Sequence, residues 1–498
     1  MKKYSLILIT MLLAVVVSCD DATDGIQPGE FSADAAFQNV DDLEQGIFGV
    51  YSSLSIANLV SFTSIFTDEV SIGVSNGGQG LTNDALHTYT LNSNNGTVLG
   101  LWNGNYSLIF RANILIQAAR SIEPVDDIEQ EAYDRVLAQA FAIRAFGHSQ
   151  LLSVFAEDLT NDNSLGVITI DFVPTSDTFL PRSTVGETMT FINNDLDEAQ
   201  RLFSGTTMVP NGNRIFIDVD FVKALRARMA LYTEDFSTAG AMADELLSVY
   251  QISDRSEFPL VWTDQSTEGV IFKADRTDNN GGLASIWNTN ATNAAGGVLY
   301  EVSRSVYNII ESNPNDIRES VYIDPTSVID PDYQNSTDPQ ETDILVIDKY
   351  PGDPNLNSIL INDQKIFRAA EMALVKAEVQ VNNGDFSGAA LTVQSIRDNR
   401  FGSVQPQPTY SDAQEAWRDI LLERRVELFL EGHRYIDFNR LAEKANVTAY
   451  DRDETDCSIP VLPLCDLPRS DIRTQAWPIP QAEFAGNPAI SGQQNPGY

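Results

Sequence analysis

Two stretches far apart in this chain carry the same phrase, Asp-Phe-Ser-x-Ala, at 235–239 and 385–389. Each phrase lies between two segments of helical periodicity, "DFVKALRARMALYTEDFSTAGAMADELLSV" (220–249) and "KIFRAAEMALVKAEVQVNNGDFSGAALTVQSIRDNR" (365–400). Both read as amphipathic helix, tight turn, second helix. Ala227, Ala230, Ala373 and Ala377 let paired helices approach closely, while Phe236 and Phe386 plug the junction. One such pair cannot bury its own apolar face, so further pairs must stack beside it.

That plan is the layout of tetratricopeptide-like helix pairs. "LWNGNYSLIFRANILIQAAR" with "EAYDRVLAQAFAIRAFGHSQLLSVF", and the opening helix near "VDDLEQGIFGVYSSL", are the other candidates. The expected fold is mostly α, a scaffold of about four pairs over approximately 40–250 and 360–445. Between them, approximately 255–360 is rich in Asn, Gly, Pro and Asp, with strand-like pieces such as "GVIFKA" and "DILVIDKY". This reads as an irregular insert on a helical frame.

The chain opens with Lys2 and Lys3, an apolar run from Leu6 to Val17, then Ser18-Cys19 and an acidic stretch with Asp20, Asp21 and Asp24. The run is shorter than the roughly 20 apolar residues a spanning helix needs. It reads as a signal peptide, 1–18, with Cys19 the lipid-bearing cysteine of a bacterial lipoprotein; cleavage near Ser18 to a soluble secreted protein is the other reading. The remainder, 19–498, is taken as one domain with a C-terminal tail from approximately 446. The net charge is −38, so nucleic acid is excluded as a partner. Cys457 and Cys465, in "DCSIPVLPLCD", suggest one local structural disulfide. No third ligand lies near them, and neither a metal nor a cofactor is expected.

The most chemical stretch is "LLERRVELFLEGHRYIDFNRL" (421–441). If helical throughout, it sets Arg424, Glu427, Glu431 and Arg434 on one face. A glycosidase needs one carboxyl protonated and another ionised about 5–10 Å apart. Arginines flanking both glutamates favour the ionised form of each, so the stretch reads as a structural ion-pair seam. Gly432 marks a break or a close backbone contact, and His433 reads as structural. No G-x-S-x-G elbow, P-loop or H-E-x-x-H is present. "DRDETD" (451–456) lacks the glycine and distal glutamate of a calcium loop and reads as a solvated turn.

Sugar recognition asks for an aromatic face and planar hydrogen-bonding groups, usually on loops. Trp102, Trp262, Trp417 and Trp477 have core readings. Trp287, in "GGLASIWNTNATNAAGG", sits among residues too polar to bury it, and is expected to be exposed with Asn288, Asn290 and Asn293 beside it. Turn formation is the other role for those amides.

The order of "LWNGNYSLIFRANILI", "AQAFAIRAFGHSQLLSVFAED", "STEGVIFKAD", "ERRVELFLEGHRYIDFNRL" and the closing "AWPIPQAEFAGNPAISGQQNPGY" resembles SusD-like (RagB/SusD) proteins over nearly the whole mature chain. The resemblance implies a non-enzymatic lipoprotein on the outer face of an outer membrane. It would capture a nutrient, most often an oligosaccharide and sometimes a peptide, and deliver it to a SusC-like TonB-dependent transporter. It also points to the loop before Trp102, where Asp68, Asn76, Gln79 and Tyr89 are matched by region as ligand contacts, with Tyr300 and Arg304 either lining the same face or beginning a packed helix. A neutral glucan-type oligosaccharide suits the acidic charge. A peptide ligand, or an adaptor with no ligand of its own, are the alternatives.

Overall fold

The computed structural model describes residues 36–76, 84–206, 212–277, 281–356, 360–457 and 464–498. Cys19 and Gln79 lie outside the described residues. The helices that build the frame are α1 (Val40–Tyr51), α2 (Ala57–Phe66), α3 (Gly96–Ala119), α4 (Asp127–Phe155), α5 (Val185–Phe203), α6 (Val219–Tyr232), α7 (Phe236–Leu247), α8 (Ala369–Asn382), α9 (Phe386–Phe401), α10 (Ala413–Glu427) and α11 (Arg434–Leu441). The fold is mostly helical, of tetratricopeptide-like type. Among the described residues no helix is long and apolar enough to cross a membrane.

The repeated phrase works as its chemistry suggests. Asp235 and Asp385 are N-caps, accepting from Thr238 N (3.1 Å) and Gly388 N (2.8 Å), so each starts the second helix of its pair. The residues before them, Glu234 (φ +62°) and Gly384 (φ +76°), take the left-handed turn that reverses the chain. Ala227, Ala230, Ala373 and Ala377 are all buried where the helices meet. α7 packs on α8, which joins the two pairs into one stack.

α4 is the axis of the N-terminal half, lying against α3 on one side and α5 on the other. Its second half is buried without a break from Ala142 to Phe155, polar Arg144, His148 and Gln150 included, and a Cβ on Gly147 would meet Ile109 Cγ1 at 2.7 Å. Arg144 is held there by a two-bonded pair with Asp195 (2.6 and 2.8 Å). α5, which carries no repeat phrase, is begun by a Thr184/Glu187 capping box.

Two small antiparallel sheets link frame and insert. β1 (Val70–Ile72) pairs with β3 (Tyr300–Val302), and β2 (Val270–Ala274) with β4 (Gln364–Arg368). β4 corrects the helical reading of "KIFR": these residues pair with β2, and α8 begins only at Ala369. Phe272 and Phe367 then meet Phe221 of α6 edge-on at 4.9 and 5.2 Å. The tail is stapled by Asn495, whose amide donates to Phe155 O (2.9 Å) and accepts from buried Arg182 (2.8 Å).

Candidate functional site

The stretch 421–441 is not one helix. α10 ends at Glu427, the chain turns through Leu430 (φ +57°) and Gly432 (φ +88°), and α11 begins at Arg434. A Cβ on Gly432 would meet Leu59 Cδ2 at 3.1 Å, so glycine serves both the conformation and the approach to α2. The carboxylates are nonetheless fully claimed by cations. Glu427 is paired with Arg400 (2.7 Å) and Arg368 (3.1 Å), Glu431 with Arg368 and Lys349 (both 2.7 Å), and Glu423 with Arg318 and Arg397 (both 2.7 Å). Burial opposes ionisation of Glu427, but Arg400, Arg368 and Arg318 outweigh it and hold the carboxyl well below its usual range. His433 is buried and kept neutral by desolvation and by Arg228. Each of the three carboxylates is thus set between two cations, the opposite of the apolar or like-charged setting an acid catalyst needs.

Trp287 is fully buried, which overturns the expectation of exposure. Its indole N–H donates to Ser64 Oγ of α2 at 3.2 Å, and its ring stacks on Tyr350 at 5.9 Å between centroids. The polar residues after it build a hairpin instead of marking an open surface. Thr289 N donates to Gly297 O (3.1 Å), Asn290 N to Gly296 O (3.0 Å), and the Asn293 side chain accepts from Ala295 N (3.0 Å). Asn288 is also buried, its amide donating to Ile347 O at 3.3 Å. Asn290 stays exposed on that hairpin.

Asp68 and Tyr89 are corrected in the same way. Asp68 is buried and takes two bonds from Arg434 (both 2.7 Å), with Arg425 at 3.3 Å and Asp451 N at 2.9 Å. Burial pushes its carboxyl up, and the two guanidiniums more than offset this, holding it below the usual range. Tyr89 is buried beneath the Arg452 guanidinium, 4.2 Å from the ring centroid. Neither side chain can touch a ligand in this arrangement. Arg304 begins a packed helix, buried and paired with Asp343 at 2.9 Å.

What does converge is a polar edge at the end of the β1–β3 sheet. The register places Ile72 opposite Tyr300, and the chain beyond Ile72 keeps pairing, Gly73 N with Leu299 O (2.9 Å) and Ser75 N with Val298 O (2.8 Å). A Cβ on Gly73 would lie 2.5 Å from Val298 O, so only glycine passes here. This brings half-buried Asn76 to half-buried Tyr300, whose hydroxyl it hydrogen-bonds and which also donates to Asp84 Oδ2. Asp84 uses its other oxygen to accept from Leu86 N (3.1 Å) and His87 N (3.2 Å), a turn cap that fixes the carboxylate. The exposed hairpin residue Thr289 borders Gly297 and Ser75 next to it, and exposed Asn290 follows on the same hairpin, its N–H on Gly296 O. Asn76, Asp84 and Tyr300 thus form an edge with an aromatic ring, an amide and a carboxylate. Asp84 carries no sequence signal, because its role depends on a partner 216 residues away.

Elsewhere, a cleft of about 360 Å³ is lined by Asp264, Gln265, Thr267, Lys273 and Asp275, and offers no aromatic face. Asp264 there is already paired with Lys365 at 2.8 Å. Cys457 and Cys465 are disulfide-bonded, with their Cα atoms 5.3 Å apart. Among the described residues no cluster of three or more His, Cys, Asp or Glu could hold a metal ion.

Residues 265–498 match the model of the SusD family, and residues 33–211 match a model described as starch-binding, associating with the outer membrane. SusD-like protein P38 of Formosa agariphila is 24% identical over 90% of this chain and 93% of its own. Two solved structures share the fold. A SusD superfamily protein from Bacteroides thetaiotaomicron VPI-5482 has a TM-score of 0.75 and 23% identity, covering 92% of this chain and 100% of that one. A SusD-like carbohydrate binding protein from Bacteroides vulgatus ATCC 8482 has a TM-score of 0.70 and 19% identity, covering 92% of this chain and 98% of that one.

Proposed function

This chain belongs to the SusD-like family, and we propose that it is a glycan-binding lipoprotein that captures an oligosaccharide at the cell surface and delivers it to a SusC-like TonB-dependent transporter. The observation that carries the reading is the edge formed by Asn76, Asp84 and Tyr300, in a chain whose N-terminal half matches a starch-binding model associated with the outer membrane. A phenol ring offers a face to sugar C–H groups, and the amide and carboxylate suit its hydroxyls. Net charge of −38 favours a neutral oligosaccharide over an anionic one. Cys19 would carry the lipid that holds the protein to the outer leaflet. Catalysis is not part of the proposal, because the seam carboxylates at 423–431 are each neutralised by cations.

Calorimetric titration with neutral oligosaccharides, using maltoheptaose as first probe, tests the ligand. Heat with maltoheptaose that disappears in Tyr300→Ala supports the reading. Heat with oligopeptides and none with any glycan would transfer the site to the peptide-binding alternative. Copurification of a barrel transporter with the membrane-anchored protein, lost in Cys19→Ser, tests the rest.

A further inference from the structure

Behind Tyr300, the next residue of β3 points the other way. Glu301, Asp343 and Asp456 line one small cavity together with Ser71, Tyr333 and Gln340. Its volume of about 20 Å³ has room for a single water and excludes a sugar. One guanidinium serves this cluster and it is spent on Asp343: Arg304 bonds Asp343 at 2.9 and 3.1 Å, while only its backbone N–H donates to Asp456 Oδ2, at 3.0 Å. Among the described residues Glu301 has only the Leu345 N–H, at 2.7 Å.

The groups facing this cluster do not balance it. Asp453 and Arg452 face Asp456 along its own segment, and Asp330 faces Asp343 from the insert. Tyr333 lies under Arg304 at 3.8 Å and donates to Asp453 at 3.3 Å. Three enclosed carboxylates beside one dedicated cation are too costly to keep fully ionised, so protons fill the deficit. Burial first, then Asp453 and Asp343, push Asp456 up to about 7, and burial raises Glu301 well above the ordinary glutamate range. Asp456 sits in the short helix Glu454–Cys457, whose Cys457 carries the disulfide to Cys465.

We propose that protonated Glu301 and Asp456 latch the helix Glu454–Cys457 onto the β1–β3 sheet, and that loss of these protons above neutral pH opens the latch and weakens binding at Tyr300. The ligand half rests on the binding reading above, whereas the latch does not need it. The sign follows from linkage: the closed form binds more protons than the open one, so closure is complete in acid and is lost as pH rises through the raised values.

Hydrogen exchange of amides 301–306 and 452–457, compared at equal pH among wild type, Glu301→Gln and Asp456→Asn, reads the latch directly. Wild type and variants should exchange alike at pH 6. Above about pH 7 wild type should exchange faster, by roughly tenfold per pH unit for each proton released. Each single variant should remove its own share of that dependence, so the result does not hang on a double variant folding. A constant ratio from pH 6 to 8 would overturn the latch. Maltoheptaose titration at both pH values separates the two claims. Affinity falling with pH in wild type and less steeply in Glu301→Gln supports both halves. Absent heat at both pH values with pH-dependent exchange sinks the binding reading and leaves the latch standing, and pH-independent affinity removes the coupling.

Discussion

Arg434 grips Asp68 with two bonds of 2.7 Å across 366 residues of sequence. The pair ties the start of α11 to the segment that leads from α2 into β1, and so fixes the base of the candidate edge. Arg425 shares the same carboxylate at 3.3 Å. Asp68→Asn would leave two buried guanidiniums short of an anion, and breaking a buried pair from one side costs about 3–5 kcal/mol. The denaturation midpoint should fall accordingly. Asp451→Asn, which removes Arg425's exposed partner, should cost under about 1 kcal/mol.

Trp287 is an anchor between Ser64 and Tyr350, so Trp287→Ala should destabilise by about 3–5 kcal/mol through the cavity it leaves. Its effect on glycan affinity should disappear once folded protein is isolated by gel filtration. Trp287→Phe should bind maltoheptaose within about twofold of wild type, since a factor of two is only about 0.4 kcal/mol. Loss of binding at unchanged stability in Trp287→Phe would put the indole back in the site.

These two residues also mark where sequence and structure part. The helix-pair plan was legible because its determinants are local: alanines at the contact, Asp235 and Asp385 as caps, Phe236 and Phe386 at the junction. Family membership was legible from ordered motifs, whereas the break between α10 and α11 inside 421–441 was not. Leu430 adopts a positive φ that no local rule assigns to leucine. Trp287 was misread because polar, glycine-rich flanks describe a hairpin as readily as an exposed face. Asp68 and Tyr89 were placed by region, and region cannot tell a carboxylate facing a ligand from one facing Arg434. Of the residues expected to bind ligand, Asn76 and Asn290 reach the surface, and their companions Asp84 and Tyr300 meet only in three dimensions.

Stability should peak in mild acid. Buried Glu69, whose Oε2 has no hydrogen-bond partner, is pushed up to about 7 by desolvation, and Asp348 to about 6 by the same cause. Their contributions are complete below their unfolded values near 4 and are lost as pH rises through 6 and 7. Asp68, Glu423, Glu427 and Asp437 are held below their usual range by arginines. Their contributions are present above about pH 4 and lost as pH falls further. Urea midpoints measured from pH 3 to 9 should therefore be highest near pH 5 and decline on both sides. Glu69→Gln, which keeps an acceptor for Leu430 N, should flatten the alkaline decline and leave the acid one unchanged.

The Tyr300 hydroxyl bridges Asn76 and Asp84, so its ring and its oxygen can be separated by substitution. Tyr300→Phe keeps a stacking face and releases Asp84, whose lost charge-assisted bond is worth about 1.5–3 kcal/mol locally. If the hydroxyl preorganises the edge, maltoheptaose affinity should fall roughly threefold to tenfold, which is about 0.7–1.4 kcal/mol. Tyr300→Ala removes the face as well and should cost more than about tenfold. Both variants should melt close to wild type in comparison with Asp68→Asn, because Tyr300 is only half-buried at the end of its strand. Equal affinity in wild type and Tyr300→Ala, with the fold intact by circular dichroism, would show that glycan contacts lie off this edge.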